Sequence, residues 1–192
     1  LPKQVNNDPN SEVFVYYGGH GAPDPETNQS FLVPYDGDPS FLETTAYPLK
    51  RLYQVLKELS AKQVTVVLDS CFSGAGGRSV IAKGARPMLI TVDSPVVSSQ
   101  NLTVFTAAAG NQISSAYQEK RYGLFTYFFL KGLQGGADLN KDGVIRVREL
   151  DEYVKTQVQT EARRMNVDQV PQILPGLDVM GGRADRELVR LR

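Results

Sequence analysis

A run of β-branched and apolar residues, Val64-Thr65-Val66-Val67-Leu68, breaks off at Asp69-Ser70-Cys71-Phe72-Ser73-Gly74. Five or six apolar residues closed by turn formers read as a strand buried on both faces, the kind found inside a parallel sheet. In such sheets ligands bind beyond the carboxyl ends of the strands. Cys71, the single cysteine among 192 residues, falls at that place.

Glu12-Val13-Phe14-Val15-Tyr16-Tyr17 repeats the pattern, a second apolar strand also expected to be buried, running into Gly18-Gly19-His20-Gly21. His20 is the single histidine. A lone cysteine is usually a small buried hydrophobe, and a lone histidine an ordinary satisfied residue. Here each follows a strand end, and each is wrapped in glycine, which lets a substrate approach the backbone closely. Strands lying side by side put thiol and imidazole on one sheet edge, as a nucleophile with its base.

The sequence between them predicts parallel pairing. Leu49, Leu52, Tyr53, Leu56 and Leu59 have helical spacing just after Pro48, whose missing N–H costs nothing at a helix start. Strand, helix, strand at this spacing is a βαβ unit with a right-handed crossover. Further on, Leu102 to Thr106 reads as a strand and Tyr122 to Leu133 as an apolar helix stopped by Gly135-Gly136. An amphipathic helix is expected over about 146–165, and Pro171 to Pro175 as a last extended segment. Ala22 to Ser30 reads as a long mobile loop over the site, followed by a short extended piece at Phe31 to Pro34. Residues 76–101 read as an irregular connector, with a candidate strand at Pro87 to Val92.

Charge narrows the partners. Lys+Arg and Asp+Glu each total 21, so nothing in the balance favours nucleic acid or an anionic membrane. No apolar run approaches the roughly 18 residues of a membrane span. No nucleic-acid or membrane partner is therefore expected. A 41% hydrophobic content supports one domain over residues 1–192. One cysteine excludes an internal disulfide. Leu1 to Asn10 is polar and turn-forming rather than secretory, which favours the cytoplasm, and the chain reads as if cut from something longer.

Taken together, Tyr17-Gly18-Gly19-His20-Gly21 and Asp69-Ser70-Cys71-Phe72-Ser73-Gly74 resemble the caspase-like cysteine peptidases, in particular the bacterial metacaspase-type (orthocaspase) branch. Phe105-Thr106-Ala107-Ala108, Gly123-Leu124-Phe125-Thr126 and Gln172-Ile173 extend the resemblance over about residues 12–175. It implies a three-layer αβα fold with a mostly parallel central sheet, Cys71 as nucleophile and His20 as its partner. It further implies an oxyanion hole made by the backbone N–H groups of Gly21 and Cys71, protein or peptide substrates as partners, and no cofactor for the chemistry. The family's first strand and helix have no counterpart in residues 1–11, so the domain reads as incomplete at its start, with the missing segment a candidate partner. Gly18 stands where many metacaspases have serine, which suggests a roomier pocket, and Phe72 replaces a common histidine. Preference for Arg or Lys before the scissile bond is implied as well. Asp69, two residues before the nucleophile, is the carboxylate suited to that task, unless it merely caps the following turn. Arg78, Lys83 and Arg86, in the glycine-rich connector, are candidate self-cleavage sites.

One further motif stands apart. Asp138, Asn140, Asp142, Val144 and Glu149 fall at ligand positions of a calcium-binding EF-hand loop, with Gly143 at the turn. The same segment can make a tight turn that caps the next helix without any ion. A calcium-responsive interaction domain without catalysis is therefore the rival function. Such a scaffold needs no reactive Cys71, and the peptidase does.

Overall fold

The computed structural model describes residues 5, 8–24, 26–27, 29–72, 96, 98–109, 112 and 114–192. Strand β1 (Glu12–Gly18) is followed at once by β2 (His20–Asp24), β3 (Gln29–Val33) and the short β4 (Tyr47–Pro48). Helix α1 (Leu49–Lys57) leads into β5 (Gln63–Asp69), and β6 (Leu102–Thr106) comes next. After β7 (Ala116–Tyr117) and β8 (Tyr122–Gly123) come α2 (Leu124–Lys131), β9 (Val144–Arg146) and α3 (Val147–Arg164). The chain closes with β10 (Gln172–Leu174) and β11 (Glu187–Arg190).

The central sheet has the order β1-β5-β6-β10. β1 pairs in parallel with β5 from Glu12↔Gln63 to Gly18↔Asp69, and β5 with β6 from Val64↔Leu102 to Leu68↔Thr106. β10 is antiparallel to β6, so the sheet is mixed and mostly parallel. Side chains alternate between the faces of a strand, and the core follows that alternation. Val64, Val66 and Leu68 pack with Leu49, Tyr53 and Leu56 of α1, whereas Val67 and Phe105 pack with Leu124, Phe129, Leu150 and Val154 of α2 and α3. Helices cover both faces. The chain has the three-layer α/β fold expected.

β5 is buried along its whole length, as its β-branched composition predicts. β1 is not. It borders only β5 among the described residues, and Phe14 and Tyr16 are 56% and 52% exposed. An edge strand with one covered face accounts for the alternation that its apolar letters concealed. The expected loop at Ala22 to Ser30 is also corrected. β2 and β3 pair antiparallel from His20↔Val33 to Asp24↔Gln29, and Ala22, Phe31, Leu32 and Val33 are buried. At the hairpin's tip the Asp24 carboxylate accepts the Thr27 hydroxyl and the Glu26 N–H, and those bonds, the Thr27 one foremost, lower its pKa. The candidate strand at Pro87 to Val92, and nearly all of the 76–101 connector, lie outside the described residues.

α3 buries Val147, Leu150, Val154, Val158 and Ala162 in one stripe. That stripe also contains Asp151, 8% exposed, and burial pushes its carboxyl up to about 6 against the opposing pull of Lys155. A folded-state pKa above the unfolded value near 3.8 gives stability that is full below that value and lost as pH rises through about 6. The whole shift of about two units corresponds to about 3 kcal/mol at most. Asp151→Asn is therefore expected to flatten the loss of stability between about pH 4 and 6 and to raise stability at pH 7.5 by about 2 kcal/mol. Urea melts at three pH values test this. An unchanged slope in the variant refutes it.

Candidate active site

Three parallel strands end at one edge of the sheet, and chemistry-bearing residues gather there. The register pair Gly18↔Asp69 aligns the end of β1 with the end of β5, so His20 and Cys71 leave neighbouring strands. Further contacts tie these ends together. Gly19 N–H donates to Asp69 O (3.3 Å), and Ser70 Oγ donates to Gly19 O (2.9 Å). Gly21 lies against the Cys71 backbone, since a Cβ there would come within 2.6 Å of both Cys71 O and the Phe72 ring. Only glycine fits such an approach. The residue expected in the oxyanion hole is thus beside Cys71.

His20 is exposed at the start of β2. Its backbone is held by Tyr17, whose hydroxyl is directed at His20 O and at Val33 O, both at 2.8 Å. Burial is the main cause that raises the Tyr17 pKa, keeping the phenol a donor. The sequence offered no residue to orient His20. Tyr17, from inside the motif itself, fixes the backbone that carries it.

Cys71 is buried, with 1% of its surface exposed. Its Sγ meets the Ser114 backbone, receiving the Ser114 N–H and lying 3.6 Å from Ser114 O.

Asp69 is 1% exposed. Oδ1 accepts the Ser114 hydroxyl (2.5 Å) and Oδ2 the Thr126 hydroxyl, from residues far along the chain. Tyr16 Oη lies 3.0 Å from Thr126 Oγ1 and continues the network. Asp69 and Thr126 line a cavity of about 460 Å³ together with Tyr16, Gly18, Gly19, His20, Arg121, Tyr122 and Gly123. Gly18 leaves less free space than its missing side chain suggests, because a Cβ there would lie 2.5 Å from Tyr16 Oη. Ser114 and Thr126 escaped the sequence reading. A polar residue amid Leu124-Phe125 and Tyr127-Phe128 was the available signal for Thr126, and Ser114 follows the third strand end.

The 138–149 loop lies apart from these residues in the cavity lining, and its oxygens serve the loop. Asp138 accepts the N–H groups of Asp142 and Gly143, both at 3.0 Å, and Asn140 and Asp142 accept those of Asp142 and Val144, both at 2.9 Å. Gly143 has φ +77°, as such a turn requires. Glu149 accepts the Arg146 N–H (3.0 Å) and starts α3. The Arg146 guanidinium lies 2.7 Å from Asp142 and 3.6 Å from Glu149, and its hydrogen bond holds the Asp142 carboxyl below the usual range. Among the described residues no three or more His, Cys, Asp or Glu side chains gather as a metal site. The Arg146 guanidinium is the cation that these carboxylates hold here, and the Asp138 carboxylate serves two backbone N–H groups. Accordingly, Asp138→Ala is expected to cost about 1–2 kcal/mol of stability, equally with and without millimolar calcium. A melting temperature of the wild type that rises with calcium, but not in the variant, would restore the ion.

Comparison with known families gives one result. A caspase domain model matches residues 2–178, most of the chain. No curated protein matches it. The chain belongs to the caspase domain family.

Proposed function

We propose that this caspase-domain chain is a cysteine endopeptidase of the metacaspase-like kind, cutting after Arg or Lys. The observation that supports it best is the Gly18↔Asp69 register, which brings the histidine and cysteine motifs to one sheet edge. In this reading His20 takes the Cys71 proton, and the thiolate attacks the carbonyl carbon of the scissile bond. The N–H groups of Gly21 and Cys71 stabilise the tetrahedral oxyanion, about 3 kcal/mol per donor. Collapse breaks the C–N bond, His20 protonates the leaving amine, and water then releases the acyl group as an acid. Asp69, held by the hydroxyls of Ser114 and Thr126, is among the residues lining the cavity, and its negative charge favours a bound ammonium or guanidinium there.

Fluorogenic peptides ending in Arg, Lys and Asp test this, together with an arginine-containing electrophile that labels the nucleophile. The Arg and Lys peptides are expected to be cut and the label to sit on Cys71, seen by mass spectrometry. Faster turnover of the Asp peptide overturns the specificity.

Self-processing is part of the same reading. Arg78, Lys83 and Arg86 lie outside the described residues, and the reading rests on their side-chain chemistry alone. Aged active protein is expected to be cut after one of them, and Cys71→Ala protein to stay intact. Mass spectra of active protein with no cut within 76–101 count against it.

A further inference from the structure

Two glutamines link the segment that touches Cys71 Sγ to the loop before β10, and they do so reciprocally. Gln169 Oε1 accepts the Ser115 N–H (2.8 Å), and its Nε2 donates to Ala107 O (3.0 Å). In the other direction, Gln112 Oε1 accepts the Val170 N–H (2.8 Å). Gln169 is 1% exposed, so its two bonds are shielded from competing water. Leaving either of its partners unsatisfied in that interior costs about 1–3 kcal/mol.

The geometry carries this beyond packing. Ser115 N–H and Ser114 C=O belong to one peptide unit, which is planar. The bond from Ser115 N–H to Gln169 therefore fixes the plane whose carbonyl faces Cys71 Sγ. The same Ser114 gives its backbone N–H to Cys71 and its hydroxyl to Asp69. Ala107, the other partner of Gln169, is anchored by its N–H to Leu68 O, one residue before Asp69. One buried side chain thus braces the peptide unit that touches Cys71 Sγ against Ala107, which is bonded to the strand before Cys71.

We propose that Gln169, with Gln112, forms a clasp that sets the position of Ser114, making Gln169 a positioning residue for both Cys71 and the Asp69 pocket. The pocket half rests on the peptidase reading above, and the thiol half does not. Loosening the clasp frees the Ser114 peptide, exposing Cys71 to small electrophiles while blurring the recognition of basic side chains.

The test uses the whole chain. Gln169→Met keeps the shape and removes both bonds. Its Cys71 is expected to react with iodoacetamide at least about tenfold faster than wild type, in excess of the global unfolding rate measured in parallel. Its preference for an Arg over a Leu peptide, taken as the ratio of kcat/KM values, is expected to fall about tenfold, a change that a general loss of stability does not produce. Gln169→Glu is the second variant, for the case in which the first does not fold. As a carboxylate it accepts the Ser115 N–H but cannot donate to Ala107 O, and protonation restores the donor. Its alkylation rate relative to wild type is expected to fall toward one between about pH 8 and about pH 5. A folded Gln169→Met with wild-type alkylation, or a Glu variant matching wild type at every pH, overturns the proposal. The alkylation arm needs no turnover, so failure of the peptidase reading and failure of the clasp are told apart.

Discussion

Peptide hydrolysis by Cys71→Ala is expected to fall to background, a loss of about four to six orders of magnitude in kcat. Cys71 is the single cysteine of the chain, so no other thiolate takes over its role. His20→Ala loses proton transfer in both half-reactions, expected at about 10²- to 10⁴-fold. Neither change should unfold the chain. Sulfur-to-hydrogen truncation at a buried site costs about 1 kcal/mol, and His20 is exposed, held mainly through its backbone. Circular dichroism and urea melts beside the kinetics separate the two effects. Undiminished turnover in Cys71→Ala would sink the peptidase reading entirely.

Asp69→Asn carries the second large effect, and it is selective. Asparagine keeps the shape and one carbonyl oxygen for the hydroxyls of Ser114 and Thr126, but it removes the charge from the cavity lining. Breaking a desolvated charge pair costs about 3–5 kcal/mol, so kcat/KM for Arg and Lys peptides is expected to fall about 10²- to 10³-fold or more. Peptides with a neutral residue at that position should change little. Asp69→Ala also strands two buried hydroxyls, and so adds a loss of stability that Asp69→Asn avoids. Equal losses on basic and neutral peptides would make Asp69 a structural brace instead.

The parts of the fold legible in the sequence were those with strong period or composition. β5, α1 and α3 each declare one buried surface, and the strand ends bearing His20 and Cys71 follow from them. β1 misled because Phe14 and Tyr16 are apolar and yet exposed, which letters alone cannot tell on an edge strand. The β2–β3 hairpin was hidden by the prolines and acids of its tip, although Phe31-Leu32-Val33 supplied its buried strand. β11 pairs with β9 across some forty residues and has no turn signal to announce it. Ser114, Thr126 and Gln169 were illegible for a related reason. Each acts through a bond to a residue more than forty positions away, and such pairings are set by the fold rather than by local pattern.

The division of the site along the chain has a consequence for a nicked molecule. His20, Asp69 and Cys71 all precede residue 73, whereas Ser114, Thr126 and Gln169 all follow residue 95. A cut anywhere between those limits produces two polypeptides joined by no covalent bond, one holding the reacting atoms and the other their hydroxyl and glutamine supports. Their joint is the β5–β6 ladder, Val64↔Leu102 to Leu68↔Thr106, inside a fully buried pair of strands. The product is then a heterodimer whose subunits were once one chain. Dilution alone should leave its preference for basic residues intact, while unfolding followed by dilution should leave the larger carboxyl-terminal piece unable to find its partner.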